Sequence, residues 1–233
     1  MDLGLDAFYR LASKRRSVRS FLPKPVSKDQ IYRLLDCAHW APSGFNLQPT
    51  HYYVTDDQKK KEKLYKACLK QRQVLEAPVV IAFTGDRRVI EHNADLIIDQ
   101  EYEEGTMNEE YEEKLRAYLS FNFGTSPIGF GWLVKALVAP ILRLFTPMPS
   151  FPAVHKRYWL TKQVMLSCMN FLLAAEAAGL ATSPIEGFDE WRVRHHLGIP
   201  LTHIVPLLIC VGHGAQEQPK KTRLDIQDLV HWS

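Results

Sequence analysis

No apolar run in the 233 residues is long and clean enough to cross a bilayer. The longest oily stretch, "GFGWLVKALVAPILRLFTP" at 129–147, is interrupted by Lys135, Pro140 and Arg143. A spanning helix needs about 20 consecutive apolar residues. The expected role of this stretch is therefore a buried or partner-facing helix, with contact at a lipid surface as the other reading. The opening "MDLGLDAFYRLASKRRS" has no apolar signal core, so no secretion signal is expected and the cytoplasm is the expected compartment. Cysteine is scarce: Cys37, Cys68, Cys168 and Cys210 are widely spaced, with no CxxC and no Cys/His cluster. That excludes a disulfide framework and a cysteine zinc site, and leaves free, buried thiols in a reducing compartment as the expectation. Net charge is also small, +3 from 29 basic and 26 acidic residues, which makes no case for nucleic acid. There is no GxxxxGK[ST], no HExxH and no GxSxG. "GFGW" at 129–132 lacks the third glycine of a dinucleotide fingerprint. His195 and His196 are adjacent on an expected helix, where neighbours do not share a face, so they read as surface residues and no metal is expected.

What is present supports a folded core. Hydrophobic residues make up 46% of the chain, and no repeat or low-complexity linker divides it. A first helix is expected at 5–14. "SKDQ" at 27–30 fits a capping box, with Ser27 and Gln30 satisfying each other's backbone amides ahead of the helix "DQIYRLLDCAHWA", which Pro42 ends. "THYYVT" and "APVVIAFTG" read as strands, the second buried. Residues 57–70 read as a helix with lysines outward and Leu64, Tyr65 and Leu69 inward, and 88–122 as charged helix. Residues 161–178 read as a helix apolar nearly all round, capped by Gly179 and buried on most sides, one route to which is a second subunit. Asp189 caps a short helix that Pro200 stops, and "HIVPLLICVG" is the last strong strand. Strands and helices mix without regular βαβ alternation, so the fold class expected is α+β, in one domain over 1–233.

Four stretches carry chemistry. "KRRSVRSF" at 14–21 sets Arg15, Arg16 and Arg19 around Ser17, a donor set suited to a phosphate or simply to a solvated helix end. "KKTRL" at 220–224 adds Lys221 and Arg223, a second basic cluster or a solvated tail. "APSGFNLQP" at 41–49 supplies Ser43, Gly44, Asn46 and Gln48, groups that can read the edge of a heterocycle or merely build a turn. "TSPIEGFD" at 182–189 reads as a turn bracketed by Pro184 and Gly187, whose backbone amides, or the Glu186 carboxylate as a base, could face a ligand.

Together, "RRSVRSF", "APSGFNLQP", "SPIEGF" and "KKTRL" stand in the order and approximate positions seen in the FMN-dependent nitroreductases, and the chain resembles that family from about residue 8 to 230. The resemblance implies a central, mostly antiparallel sheet surrounded by helices, in a homodimer with a long buried interface helix. It implies that Arg15, Arg16, Ser17 and Arg19, helped by Lys221 and Arg223, hold the phosphate and ribityl side of FMN. Pro42, Ser43, Gly44 and Asn46 would line the same flavin from the other subunit. Pro184, Ile185, Glu186 and Gly187 would cover one face of the ring, the amide of Glu186 or Gly187 lying near N5, with Gln73 at the pyrimidine edge. No catalytic side chain is implied, because the flavin carries the hydride chemistry. The implied activity is ping-pong reduction of a nitroaromatic, quinone or similar conjugated oxidant by NADH or NADPH. Alternatives are another chemistry of the superfamily, such as reductive dehalogenation or flavin modification, and a flavin-binding protein at a membrane surface without turnover. The resemblance is weakest over 87–157, where the family places helices that cover the substrate.

Overall fold

The computed structural model describes residues 4–124, 131–147, 152, 154–215 and 221–233. In chain order it runs α1 (Leu5–Lys14), α2 (Lys28–His39), a short 3-10 turn (Gly44–Asn46), β1 (Thr50–Thr55), α3 (Gln58–Ala67), α4 (Gln73–Glu76) and β2 (Val79–Asp86). It continues through α5 (Val89–Glu103), α6 (Glu109–Phe123), α7 (Gly131–Leu142), α8 (Lys156–Ala177), β3 (Ala181–Ile185), α9 (Glu190–Leu197) and β4 (His203–Gly212). The four strands form an antiparallel sheet in the order β1-β2-β4-β3.

Side chains alternate across this sheet, and each face is covered by helices. Val79, Ile81 and Phe83 of β2, with Leu207, Ile209 and Val211 of β4, pack against Ile31, Leu34 and Ala38 of α2 and Val164, Cys168, Phe171 and Leu172 of α8. Val80 and Ala82, with Leu208 and Cys210, meet Leu64 and Ala67 of α3, Val74 of α4 and Val193 of α9 on the opposite face. The α8 backbone comes close to the sheet at Gly85, where a Cβ would lie 3.1 Å from Val164 Cγ2 and 3.3 Å from Leu160 Cβ. A third, smaller cluster joins α5 and α6 through Ile97, Ile98, Leu115, Leu119 and Phe123 to Leu47 and Trp159.

The helix signals act locally as expected. Ser27 and Gln30 form the full capping box of α2, Asp189 Oδ1 accepts from Arg192 N at the start of α9, and Gly198 ends α9 in the left-handed region at φ 70°. Gly179 does the same after α8 at φ 72°.

Several expectations are corrected. Helix α3 stops at Ala67, so Leu69, expected inward, is 72% exposed at a left-handed φ of 54°. Lys61, expected outward, is buried, its ammonium donating to Ala77 O at 2.8 Å. "TSPIEGFD" is not wholly a turn: Ala181–Ile185 is an edge strand, and the turn starts at Glu186. Pro184 is tolerated there because an edge strand needs fewer ladder donors. Cys37 is exposed, whereas the other three cysteines are buried. The 88–122 region is two helices, divided at Gly105 with φ 71°. Of the oily stretch, 129 and 130 lie outside the described residues, and most of α7 is exposed, Leu137 at 64% and Ile141 at 61%, which departs from burial within the chain and agrees with the partner-facing alternative. Helix α8 begins at Lys156 and is buried on one face only, leaving Met165, Leu166 and Met169 exposed. No helix among the described residues is long and apolar enough to cross a membrane.

Candidate active site

Three of the four chemistry-bearing stretches meet at the β3 edge of the sheet. After α1, the chain turns and runs beside β3, with the Val18 N–H donating to Thr182 O at 2.8 Å and Ser17 bridged to Thr182. That contact sets Arg15–Arg19 next to the strand that ends in Pro184 and Ile185, ahead of Glu186 and Gly187. Ile185 is buried, while Glu186 and Gly187 are exposed, and Phe188 N–H donates to Glu186 O to close the turn. From the other side, the carboxy-terminal segment delivers Lys221, whose ammonium donates to Ala12 O (3.2 Å), Ser13 O (3.2 Å) and Arg15 O (2.9 Å).

This contact refines the role implied for Lys221. An ammonium has three donors, and here all of them are directed at carbonyls where α1 ends, a favourable place for a cation. Lys221 therefore brings charge to the site while its hydrogen bonds tie the carboxy-terminal segment to α1. Burial, with Arg223, Arg15 and Arg16 close by, pushes its pKa below the ordinary lysine value. Arg223 is exposed, as are Ser17 and Arg19, while Arg15 and Arg16 are half-buried. Within this crowd of cations, Arg15 Nη1 is buried without a hydrogen-bond partner. A buried unpaired donor is costly, and one on a guanidinium in a positive field fits an oxyanion.

Gln73 is buried and joins the same region through a relay that the sequence did not reveal. Its Nε2 donates to Gln71 Oε1 at 2.9 Å, and Gln71 Nε2 donates to Gly187 O at 2.8 Å. Gln71 thus fixes the turn after β3 to the α4 segment. The signal available was only the "KQRQ" doublet, and amide pairs of that kind are common on surfaces.

The fourth stretch lies elsewhere in the chain. Gly44 N–H donates to Gln163 Oε1 at 2.8 Å, and Gln48 N–H donates to Ser43 Oγ at 2.9 Å. Asn93 Nδ2 donates to Leu47 O at 2.9 Å. Phe45, Asn46 and Gln48 all adopt positive φ, at 57°, 53° and 48°. Single left-handed non-glycine residues are uncommon, so three in four positions need support. Phe45 receives it from Tyr118 and Phe123 of α6, at ring separations of 5.2 and 6.4 Å. Gln163, Asn93 and these aromatics were not identified in the sequence, because nothing local marks them as partners of the loop. Pro42, Asn46 and Gln48 line a surface cavity of about 320 Å³ that Gln100 of α5 also borders.

Helix α8 measures the separation of the two halves. The loop is held at Gln163, near its start. The basic cluster lies by its last turn, where Lys14 pairs with Glu176 at 3.4 Å. Thirteen helical steps separate Gln163 from Glu176, about 20 Å at 1.5 Å per helical residue. The exposed Met165, Leu166 and Met169 fall between them.

His195 and His196 lie on the last turn of α9, with the His195 ring stacked on Trp191 at 5.9 Å, as befits surface residues.

Residues 12–213 match the sequence pattern of the Nitroreductase family. The chain is 30% identical to a protein of Thermus thermophilus named NADH dehydrogenase, over 95% of this chain and 93% of that one. It is 25% identical to the oxygen-insensitive NAD(P)H nitroreductase of Enterobacter cloacae, over 94% and 96%. A solved structure from Exiguobacterium sibiricum, in complex with FMN, shares the fold at a TM-score of 0.74 and 24% identity, covering 97% of each chain. The α+β sheet order, the position of the basic segment beside β3 and a match extending over most of the chain lead to one assignment: this protein belongs to the nitroreductase family and is an oxidoreductase.

Proposed function

We propose that the protein is an FMN-dependent oxidoreductase that takes electrons from NADH or NADPH and passes them to a nitroaromatic, quinone or similar conjugated oxidant, and that it works as a homodimer with composite sites. The observation that carries this reading is the division of the site between the two ends of α8, roughly 20 Å apart on helical rise. An antiparallel pairing of two α8 helices about a twofold axis near Met169 would set Gln163 of one copy beside Glu176 of the other. The Ser43–Asn46 loop of one chain would then face the Arg15–Arg19 cluster of its neighbour. The exposed Met165, Leu166 and Met169 supply an apolar strip along that seam. A homodimer contact of this kind is self-complementary by symmetry.

The residues present fit the cofactor. Arg15 offers a buried, unpartnered Nη1, and Arg16, Arg223 and Lys221 contribute a positive field for a phosphate dianion. Bound FMN would supply hydride acceptance and donation. The chain's own share is binding and orientation. Arg15, Arg16, Ser17 and Arg19 would anchor the phosphate and ribityl side. The Pro184–Gly187 segment, fixed by Gln71, would cover one ring face, with the amide of Glu186 or Gly187 near N5. Gln73 would meet the pyrimidine edge, and Pro42, Ser43, Gly44 and Asn46 would complete the pocket from the second copy. Residues 1–233 form one domain, and the helices between 87 and 157 act as the cover over the oxidant: Phe45 against Tyr118 and Phe123 already ties α6 to the loop.

The test is complementation. An Arg15→Ala chain and a Ser43→Ala/Asn46→Ala chain each bind FMN poorly alone, as read from the visible flavin spectrum on titration. Co-expressed and purified as a mixed dimer, they regain about half the wild-type FMN, because one of the two composite sites is intact. A mixed dimer no better than either parent refutes the composite site. A wild-type protein that takes up no FMN refutes the reading as a whole.

A further inference from the structure

At the end of the sheet remote from the basic cluster, β1, β2 and β4 bring together His51, Asp86 and His203, and one ligating atom of each lies within 4.8 Å of the others. Asp86 and His203 are 1% and 6% exposed, while His51 opens to solvent. Among the described residues no hydrogen bond joins the side chains of His51, Asp86 and His203 to one another; their partners are Thr84, Arg88 and His92. The Thr84 hydroxyl donates to His51 O at 3.1 Å, which commits its single proton. The His203 Nδ1, 3.1 Å from Thr84 Oγ1, must then be the donor. This fixes the tautomer of His203 with its Nε2 lone pair directed inward, 3.9 Å from Asp86 Oδ1. Two acceptors therefore face each other 3.9 Å apart, an arrangement that a cation between them would bridge.

The surroundings have the form of a ligand's outer shell. His203 is oriented through its other ring nitrogen by Thr84. The Asp86 carboxylate is held by Arg88 N–H at 2.9 Å on Oδ1 and by His92 Nδ1 on Oδ2. Such partners set the tautomer and direction of metal ligands. Burial first, and the neighbouring His51 second, keep His203 below the ordinary histidine pKa, and burial does the same for His51. The ligand atoms of a tetrahedral ion with bonds of about 2 Å lie roughly 3.3 Å apart. The 3.9 Å His203–Asp86 pair needs only a small closure, and the exposed His51 ring can swing to complete the third position.

We propose that His51, Asp86 and His203 form a site for a divalent cation, zinc being the ion whose ligand preference they match. Two imidazoles and one carboxylate suit a late first-row divalent ion, and a water completes four-coordination on the open side next to His51. The site lies at the base of the loop discussed above, since Asp86 N–H donates to Pro49 O at 2.9 Å and Thr84 holds His51 O. The ion would pin the start of β1 to the end of β2 and the beginning of β4. It shares no residue with the proposed flavin pocket.

The test uses the full-length protein stripped with chelator and titrated with Zn²⁺ by calorimetry, with Co²⁺ absorption as a report on ligand type and geometry. The expected result is one Zn²⁺ per chain, a higher melting temperature with saturating zinc, and an intense tetrahedral Co²⁺ spectrum. His51→Ala, a change at an exposed side chain, should weaken Zn²⁺ at least 10-fold and lose the Co²⁺ signal while the metal-free protein stays folded. His203→Ala should do the same, but because that residue is buried the exposed variant is decisive. A His195→Ala/His196→Ala protein should bind as the wild type does. No Zn²⁺ uptake, uptake unchanged by His51→Ala, or uptake removed by the His195→Ala/His196→Ala changes overturns the proposal.

Discussion

Arg15→Ala separates a binding residue from a structural one. Within the chain, Arg15 Nη1 is buried with no partner, a condition that costs about 1–3 kcal/mol. The side chain also stands close to Lys221, in a group that includes Arg16 and Arg223. Arg15 ties the carboxy-terminal segment through its carbonyl, which accepts from Lys221 at 2.9 Å and survives in alanine. Truncation therefore removes an unpaired donor and a repelling charge, and the FMN-free protein should melt no lower than the wild type. FMN binding should suffer. A charge-assisted hydrogen bond is worth about 1.5–3 kcal/mol, which corresponds to an affinity loss of about 10- to 150-fold. The assay is FMN fluorescence quenching for Kd, paired with melting of the FMN-free protein. Arg15→Lys should fall between, since it keeps the charge and loses the planar fork. A variant that melts several degrees lower yet binds FMN with unchanged Kd would refute the reasoning and make Arg15 a packing residue.

Other consequences can be checked separately. Ser43→Ala with Asn46→Ala should weaken FMN retention while leaving circular dichroism unchanged; the Ser43 hydroxyl also accepts from Gln48 N–H, so a stability loss of about 1 kcal/mol is expected alongside, and global unfolding would return the loop to a purely structural role. Leu166→Glu, on the exposed strip of α8, should convert a dimer to monomers in sedimentation and release FMN with it; an unchanged sedimentation coefficient would exclude that strip as the seam. Glu190 joins α8 to α9 and β4 by accepting from Arg157 (2.7 Å), Arg194 (2.5 Å) and Val205 N–H (3.0 Å). Burial raises its pKa, but the bonds from Arg157 and Arg194 outweigh that and leave it lowered. Its contribution is complete above the unfolded carboxyl value near 4.5 and is lost as pH falls through the depressed folded value. Glu190→Gln should therefore destabilise the protein at pH 7 by about 1–3 kcal/mol and flatten the acid limb of a melting-temperature profile; a parallel offset at every pH would contradict this.

The local signals were legible in the sequence because they depend on residues a few positions apart. Ser27 and Gln30 close one turn of backbone, Asp189 and Gly198 bracket one short helix, and β1 is a single run of β-formers. The four chemistry-bearing stretches were visible for the same reason: each is a short, dense cluster of donors. The misread positions are those where tertiary contacts overruled the pattern. Leu69 faces solvent because α3 ends two residues before it, Lys61 turns inward because the carbonyls of Leu75 and Ala77 converge there, and most of the apolar side chains of α7, Leu137 and Ile141 among them, are exposed.

What the sequence determined by itself is the chemistry on offer: cations for a phosphate, amides for a ring edge, and an apolar helix with more surface than one chain covers. Only the tertiary structure decided which of these groups stand together. Val18 paired to Thr182 and Lys221 bonded to Arg15 O unite stretches separated by more than 160 and 200 residues. The 13 helical steps from Gln163 to Glu176 hold the loop away from that cluster. His51, Asp86 and His203 gave no motif, since their proximity is made by the register of three strands. Spacing along a chain encodes contacts within a turn or along a strand face, and contacts between distant segments arise only when the sheet closes and its two faces are packed.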